Sequence, residues 1–224
     1  MSVGAKSSSL AIIVSQTNVA WICEQGIQNS AETAHAAICL GTVGASPGST
    51  ITVANPAATT LAMCAVVAEY SGLGTGPIYI DKAGLAATGN TAAPATTAFT
   101  TVDAVQLLIG SLNHRGQWST TEQTNLYSGA TNSFVLVDPL NGGGATNAST
   151  FTNVANADIA TAMLERITSS TVSGITAGAT ITSAQWSSNG IALRVVTGGG
   201  QRSWVGTLPI INFLNKYNLL HPHP

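Results

Sequence analysis

Apolar residues in this chain come in short runs, and between the runs stand Gly, Pro, Ser, Thr and Asn. That punctuation is the pattern of an all-β protein, in which strands of roughly 3–10 residues alternate with turns. The runs predict strands over Leu10–Val14, Ala20–Cys23, His35–Thr42, Ser49–Val53, Leu61–Tyr70, Ala104–Gly110, Ser133–Asp138, Met163–Thr168, Ala184–Trp186 and Ile191–Val196. Along Ser49–Val53, hydroxyl and β-branched apolar side chains alternate, so one face can turn inward. Arg194 between Leu193 and Val195 gives the same two-sided pattern. Leu61 to Ala68 is almost continuously apolar and reads as a central strand covered on both faces. Turn signals fall at Ser46-Pro47-Gly48, Asn55-Pro56, Asn141-Gly142-Gly143-Gly144 and Ser188-Asn189-Gly190. The last predicts a closing hairpin between Trp186 and Ile191, because Asn and Gly both tolerate positive φ. Asn156 to Met163 combines helix formers with a capping residue and is read as a helix or as a loop leading into a strand.

These elements lead to an antiparallel two-sheet β-sandwich, jelly-roll-like, over residues 1–197, followed by a C-terminal arm over 198–224. A chain of 224 residues is long enough to bury a core without a disulfide or a metal. Three cysteines, Cys23, Cys39 and Cys64, lie in apolar runs without C-x-x-C spacing. They are expected to be buried free thiols rather than a disulfide framework or a zinc site.

Only 7% of the residues are charged and the net charge is −2, against about 25% charged residues in an ordinary domain. With 45% hydrophobic residues the chain can still pack a core, so its surface must consist of hydroxyls, amides and small apolar groups. Such a surface loses little hydration when covered, and two readings follow: an extracellular Thr- and Ser-rich domain, or a subunit largely covered in an assembly. A basic stripe that could displace counterions from phosphates is lacking, which argues against nucleic acid as a partner. No stretch has the length and apolarity of a membrane helix, and a membrane partner is not expected. The N-terminal run Leu10–Val14 is too short for a signal peptide, so the expectation is a chain that starts at its Met and reaches the outside in a virus particle released by lysis.

Chemistry-bearing motifs are weak. The histidines are His35, expected within a strand; His114, beside Arg115 and expected in a loop; and His221 and His223 in the tail. G-x-S-x-G, H-E-x-x-H and phosphate-loop patterns are missing. Glu69, Asp81, Asp103, Glu122 and Asp138 could converge as the facing carboxylates of a glycosidase, but none has a recognisable partner. Asp138 with Asn141, or Asp81 with Asn90, offers oxygen ligands of the type calcium takes, although such loops are more often simple turns. The expectation is a protein that is not an enzyme, with no catalytic residues, no metal and no cofactor. Glycan binding is the functional rival, with Trp118 and Tyr127 as stacking platforms and Trp186 as a further candidate. An indole in a sandwich is more often core.

The run Leu40 to Val53, containing Gly48-Ser49-Thr50-Ile51-Thr52-Val53, leads after a short gap to Val66-Val67-Ala68-Glu69-Tyr70-Ser71-Gly72-Leu73. This succession resembles a β-sandwich domain found in virion structural proteins of tailed bacteriophages, decoration and tail proteins among them, and in bacterial surface proteins. The small-residue stretch Ala83 to Thr97, the strand Val105-Gln106-Leu107-Leu108-Ile109-Gly110, and Ala184-Gln185-Trp186 before Ile191-Ala192-Leu193 continue the likeness over most of Ser9 to Val196. The resemblance is more specific for fold than for function and transfers no catalytic residue. It departs from the usual pattern at the N-terminus, where the leading strand region is short.

After Gly198-Gly199-Gly200 the chain becomes dense in large apolar residues: Trp204, Leu208, Ile210, Ile211, Phe213, Leu214, Tyr217, Leu219 and Leu220. These are expected to grip a neighbouring subunit. The combined expectation is a structural component of a phage virion, first a capsid decoration (cement) protein bound to other virion proteins and to its own copies. It would be assembled in the host cytoplasm and displayed on the particle surface. The alternative is a tail- or fibre-associated glycan- or receptor-binding module.

Overall fold

The computed structural model describes residues 1–7, 11–29, 34–55, 60–70, 79–115, 126–137, 144–145, 150–152 and 159–194. Expectations for Trp118, Glu122, Asp138, Asn141 and residues 195–224 lie outside the described residues. The strands, in chain order, are β1 (Ser2–Ser7), β2 (Ile13–Ser15), β3 (Val19–Asn29), β4 (Ala34–Val43), β5 (Thr52–Ala54), β6 (Thr60–Val66), β7 (Tyr79–Lys82), β8 (Ala87–Thr91), β9 (Phe99–Thr100), β10 (Gln106–Arg115), β11 (Val135–Val137), β12 (Gly144–Ala145), β13 (Thr150–Thr152), β14 (Ile159–Ile167), β15 (Ser173–Ile175) and β16 (Ala184–Arg194). Among the described residues there is no helix, so none long and apolar enough to cross a membrane.

Two antiparallel sheets pack face to face. The first has the order β3-β4-β1-β6. The second has the order β12-β11-β14-β10-β16-β7, with β13 on β14 and β8 on β16. The sandwich expectation holds; the described strand order does not establish jelly-roll wiring. Side chains alternate as the pleat requires. In β10, Leu107 and Ile109 face the first sheet with Ile38, Leu40, Ile191 and Leu193. Leu108 and Leu112 point the other way, into a second core with Phe99, Tyr127, Phe134, Leu164 and Trp186. The second sheet is therefore buried on both faces. The outer face of the first sheet carries a third core, where Val3, Ala37 and Cys39 lie beneath Ile12 and Ile51 of the β2–β5 layer.

The centre of the inter-sheet contact is polar. Ser2 and Ser111 share a hydroxyl hydrogen bond of 2.6 Å, and Thr161 donates to the Leu112 carbonyl at 3.0 Å. Asn113 Nδ2 donates to the His35 carbonyl at 2.6 Å, and Asn189 Nδ2 to the Glu24 carbonyl at 2.9 Å. These bonds satisfy groups that would otherwise be costly to bury. They also require the backbones to approach closely. A Cβ at Gly4 would stand 2.5 Å from Asn113 Oδ1 and 2.9 Å from Thr161 Cβ. Gly4→Val is therefore expected to cost about 1–3 kcal/mol through overpacking, read as a lower urea midpoint with an unchanged slope.

Several expectations are corrected. Ser188-Asn189-Gly190 is not a hairpin turn: it lies inside the continuous strand β16, paired with Leu112, Ser111 and Gly110. Asn189 is used for its cross-sheet amide. Gly190 is used because a Cβ there would meet Phe99 Cζ at 2.8 Å. His114 is in β10, not a loop. The helix reading fails from Ile159 onward, where β14 is paired on both sides. β6 is an edge strand of its sheet, not a central one; β13 and β14 also lie against it. Strand β1, which the sequence reading did not anticipate, takes the central place instead.

The free-thiol expectation is corrected as well. Cys23 and Cys39 face each other across β3 and β4, with Cα atoms 4.0 Å apart, and form a disulfide; Cys64 keeps its thiol, which donates to the Ile159 carbonyl at 3.5 Å. Because the bond closes a separation of 16 residues, the Cys23→Ser/Cys39→Ser double variant is expected to lose about 3 kcal/mol. Peptide mapping without reductant should recover the Cys23–Cys39 cross-link.

Candidate functional site

Strand β1 lies between β4 and β6 and begins opposite Ile38 and Val66. Its neighbours run on past that point: β4 continues to Val43, and the chain after β6 continues through Val67, Ala68, Glu69 and Tyr70. A slot of about 310 Å³ opens between these extensions. On the inter-sheet side its wall is Leu40, Ile109 and Leu193; on the outer side it is Trp21 and Ile51, with Val43, Pro47 and Val67 at the margin. Among the described residues, Glu69 is the one Asp, Glu, Lys or Arg in the lining.

Local geometry explains the shape. Trp21 is opposite Gly41 across the β3–β4 ladder. A Cβ at Gly41 would stand 2.9 Å from the indole atoms Cε2 and Cζ2, so only glycine lets the ring lie against the strand. Tyr70 holds the opposite wall: its ring packs on the inter-sheet core, and its hydroxyl donates to Glu165 on β14. Burial, followed by the Glu165 charge and this hydrogen bond, holds the Tyr70 phenol well above its usual pKa.

The backbone edge along the slot is also defined. Antiparallel residues alternate in which neighbour they hydrogen-bond. Gly44 N–H donates to Asn18 on the β3 side at 2.9 Å, whereas Cys39 N–H donates to Met1 on the β1 side at 2.9 Å. Even-numbered positions of β4 therefore bond β3, and odd-numbered positions bond toward β1. The N–H and C=O groups of Gly41 and Val43 point toward the β1 side.

Large apolar side chains are exposed on the strands of this sheet and on β2. Ile13, Ile22, Ile27 and Val43 are each at least half exposed, at 54%, 51%, 51% and 51%. All four belong to β2, β3 or β4, and β3 is an edge of its sheet. An apolar edge strand is a surface that natural proteins usually cover or charge. Here the composition leaves few charges to do so.

The residues singled out from sequence fall elsewhere. Tyr127 is fully buried; its ring meets His114 edge-on with centroids 4.7 Å apart, and its hydroxyl donates to the Ala160 carbonyl at 3.2 Å. It cannot stack on a glycan, and that expectation is corrected. Trp186 is likewise core, with Nε1 donating to Thr91 Oγ1 at 3.1 Å. Trp118 and the arm residues lie outside the described residues. Asp81, weighed as a calcium ligand, instead accepts from Arg194 at 2.7 Å and from Gln106 Nε2 at 2.9 Å. Burial alone would raise its pKa, but the donors Gln106, Arg194 and the Val102 N–H outweigh it and hold the carboxyl below the usual range. Sequence reasoning did not single out Trp21, Gly41 or Tyr70 as one site. Their only shared signal was an aromatic facing a small residue, and that depends on register.

No family model matches the chain, and no curated protein or solved structure matches it either.

Proposed function

We propose that this chain is a structural subunit of a bacteriophage virion, in the first place a capsid decoration protein that binds other virion proteins and its own copies. The observation that carries the reading is a nearly uncharged sandwich that exposes large apolar side chains at Ile13, Ile22, Ile27 and Val43 on β2, β3 and β4 and at Val102, Val105, Val135 and Ile167 elsewhere. A surface of that kind is cheap to desolvate and costly to leave in water, as suits a contact surface. The apolar arm over 198–224 supplies a second gripping element. A disulfide between Cys23 and Cys39 fits a protein that meets oxidising surroundings once particles are released.

Quantitative mass spectrometry of particles purified from the source of this chain tests the reading. Hundreds of copies per particle are the expected result. A handful of copies would move the protein to the tail or a vertex, and its absence from the particles would overturn the virion assignment.

A further inference from the structure

We infer that Cys23 and Cys39 form a thiol–disulfide exchange site in the folded protein, a bond made and reduced on the native edge strand β3. Cys23 is the sulfur that meets small disulfides and thiols, and Cys39 is the one that resolves them.

Register brings the two sulfurs together. The β3–β4 ladder runs without a break from Val19 opposite Val43 to Gln25 opposite Ala37, and Cys23 stands opposite Cys39 within it. Cys39 N–H donates away from β3, to the Met1 carbonyl at 2.9 Å. The pair is therefore a non-hydrogen-bonded one, the kind in which facing side chains lie closest. The neighbouring pairs Ile22–Leu40 and Glu24–Ile38 keep that spacing whether or not the sulfurs are joined. Making or reducing the bond needs no unfolding.

Exposure sets the order of events. Cys39 has no exposed surface and lies beneath Ile12 and Ile51, whereas Cys23 is partly exposed on a strand that is the edge of its sheet. Exchange depends on access for the incoming sulfur. With glutathione disulfide as the oxidant, the Cys23 thiolate attacks one of its sulfurs, forms a mixed disulfide and releases one glutathione thiolate. The Cys39 thiolate then attacks Cys23 Sγ, closes the protein disulfide and releases the second. Two protein thiols are oxidised, one glutathione disulfide is reduced, and the protons of the protein thiols end on the two glutathiones. Reduced glutathione runs the same steps backwards.

The third cysteine is kept apart. Met63 and Ala65 of β6 pack on the outer core with Cys39, so Cys64 between them faces the other way, its thiol on the Ile159 carbonyl. Strand β1 also separates β6 from β4. Among the described strands, β3 pairs in its sheet with β4 alone. The redox state thus sets how firmly this edge is held without changing the fold: the chain folds with thiols and locks on meeting an oxidant.

The test uses the full chain purified with its cysteines reduced. Incubated with glutathione disulfide in native buffer, it is expected to close Cys23–Cys39 while Cys64 is recovered as a thiol by differential alkylation and peptide mapping. A folded Cys39→Ser variant should accumulate glutathione on Cys23, and a folded Cys23→Ser variant should acquire it on Cys39 on the order of tenfold more slowly. In the unsubstituted reduced chain, a pulse of iodoacetamide should label Cys23 ahead of Cys39 by the same margin, a reading that depends on neither variant folding. Hydrogen exchange should find β3 paired in both redox states, with its amides up to roughly a hundredfold faster in the reduced one. A reduced chain that is unfolded, closure only in denaturant, equal labelling of Cys39 and Cys23, or a disulfide to Cys64 would each overturn the inference.

Discussion

The folded chain should lose stability steeply between about pH 6.5 and pH 3, and two buried histidines should account for most of the loss. His35 has no exposed surface, and neither ring nitrogen finds a hydrogen-bond partner among the described residues; burial lowers its pKa to about 4. His114 is 2% exposed, packs edge-on against Tyr127, and is lowered by burial to about 3. The sign follows from proton uptake. An unfolded chain protonates both rings as pH falls through about 6.5, whereas the folded chain keeps them neutral until its own lower values are reached. Between those limits the unfolded state binds more protons, so stability falls as pH falls. Complete shifts of this size correspond to losses on the order of 3 kcal/mol for His35 and 5 kcal/mol for His114. That is a large share of what a domain of this kind has. Urea unfolding at a series of pH values should show the slope, and His35→Gln or His114→Gln should each flatten it. A stability that stays level from pH 7 to pH 4 would contradict the buried, neutral state of these rings.

Tyr127→Ala should destabilise the protein by about 3–5 kcal/mol, as removal of a large buried aromatic does. The ring sits in the core beneath the second sheet with Phe134, Leu136 and Leu164, and the variant also leaves the Ala160 carbonyl without the Tyr127 hydroxyl. Tyr127→Phe isolates that hydrogen bond and should cost only about 1–2 kcal/mol. Thermal and urea unfolding measure both. If Tyr127→Ala left stability unchanged, the residue would be at the surface and a role in binding would reopen.

Much of the architecture was legible in the sequence because alternation is a local signal. The runs around Cys23, His35–Thr42, Leu107–Gly110 and Ile191–Arg194 all lie in strands, and the all-β class follows from them. What stayed hidden depends on contacts distant along the chain. His114 was expected in a loop, yet it continues β10 with Ser111 and Asn113 through the middle of the protein, where partners on β1, β4 and β14 satisfy or cover them. Asn189-Gly190 carries hairpin chemistry, but its amide and its missing Cβ are spent on cross-sheet contacts. Strand β1 is built of small residues with little periodic signal, and it is central because small residues let the sheets approach at Gly4. The slot could not be read at all. Its walls are brought together by the register of β1, β3, β4 and β6, segments far apart in sequence.

We propose that this charge-poor sandwich is covered by its neighbours, with the apolar arm as the grip. Sedimentation velocity over a range of concentrations tests it most directly, comparing the full chain with one ended after Gly200. The full chain is expected to self-associate and the shortened chain to sediment as a folded monomer. A full chain that remains monomeric at every concentration, or a shortened chain that associates equally well, would contradict it.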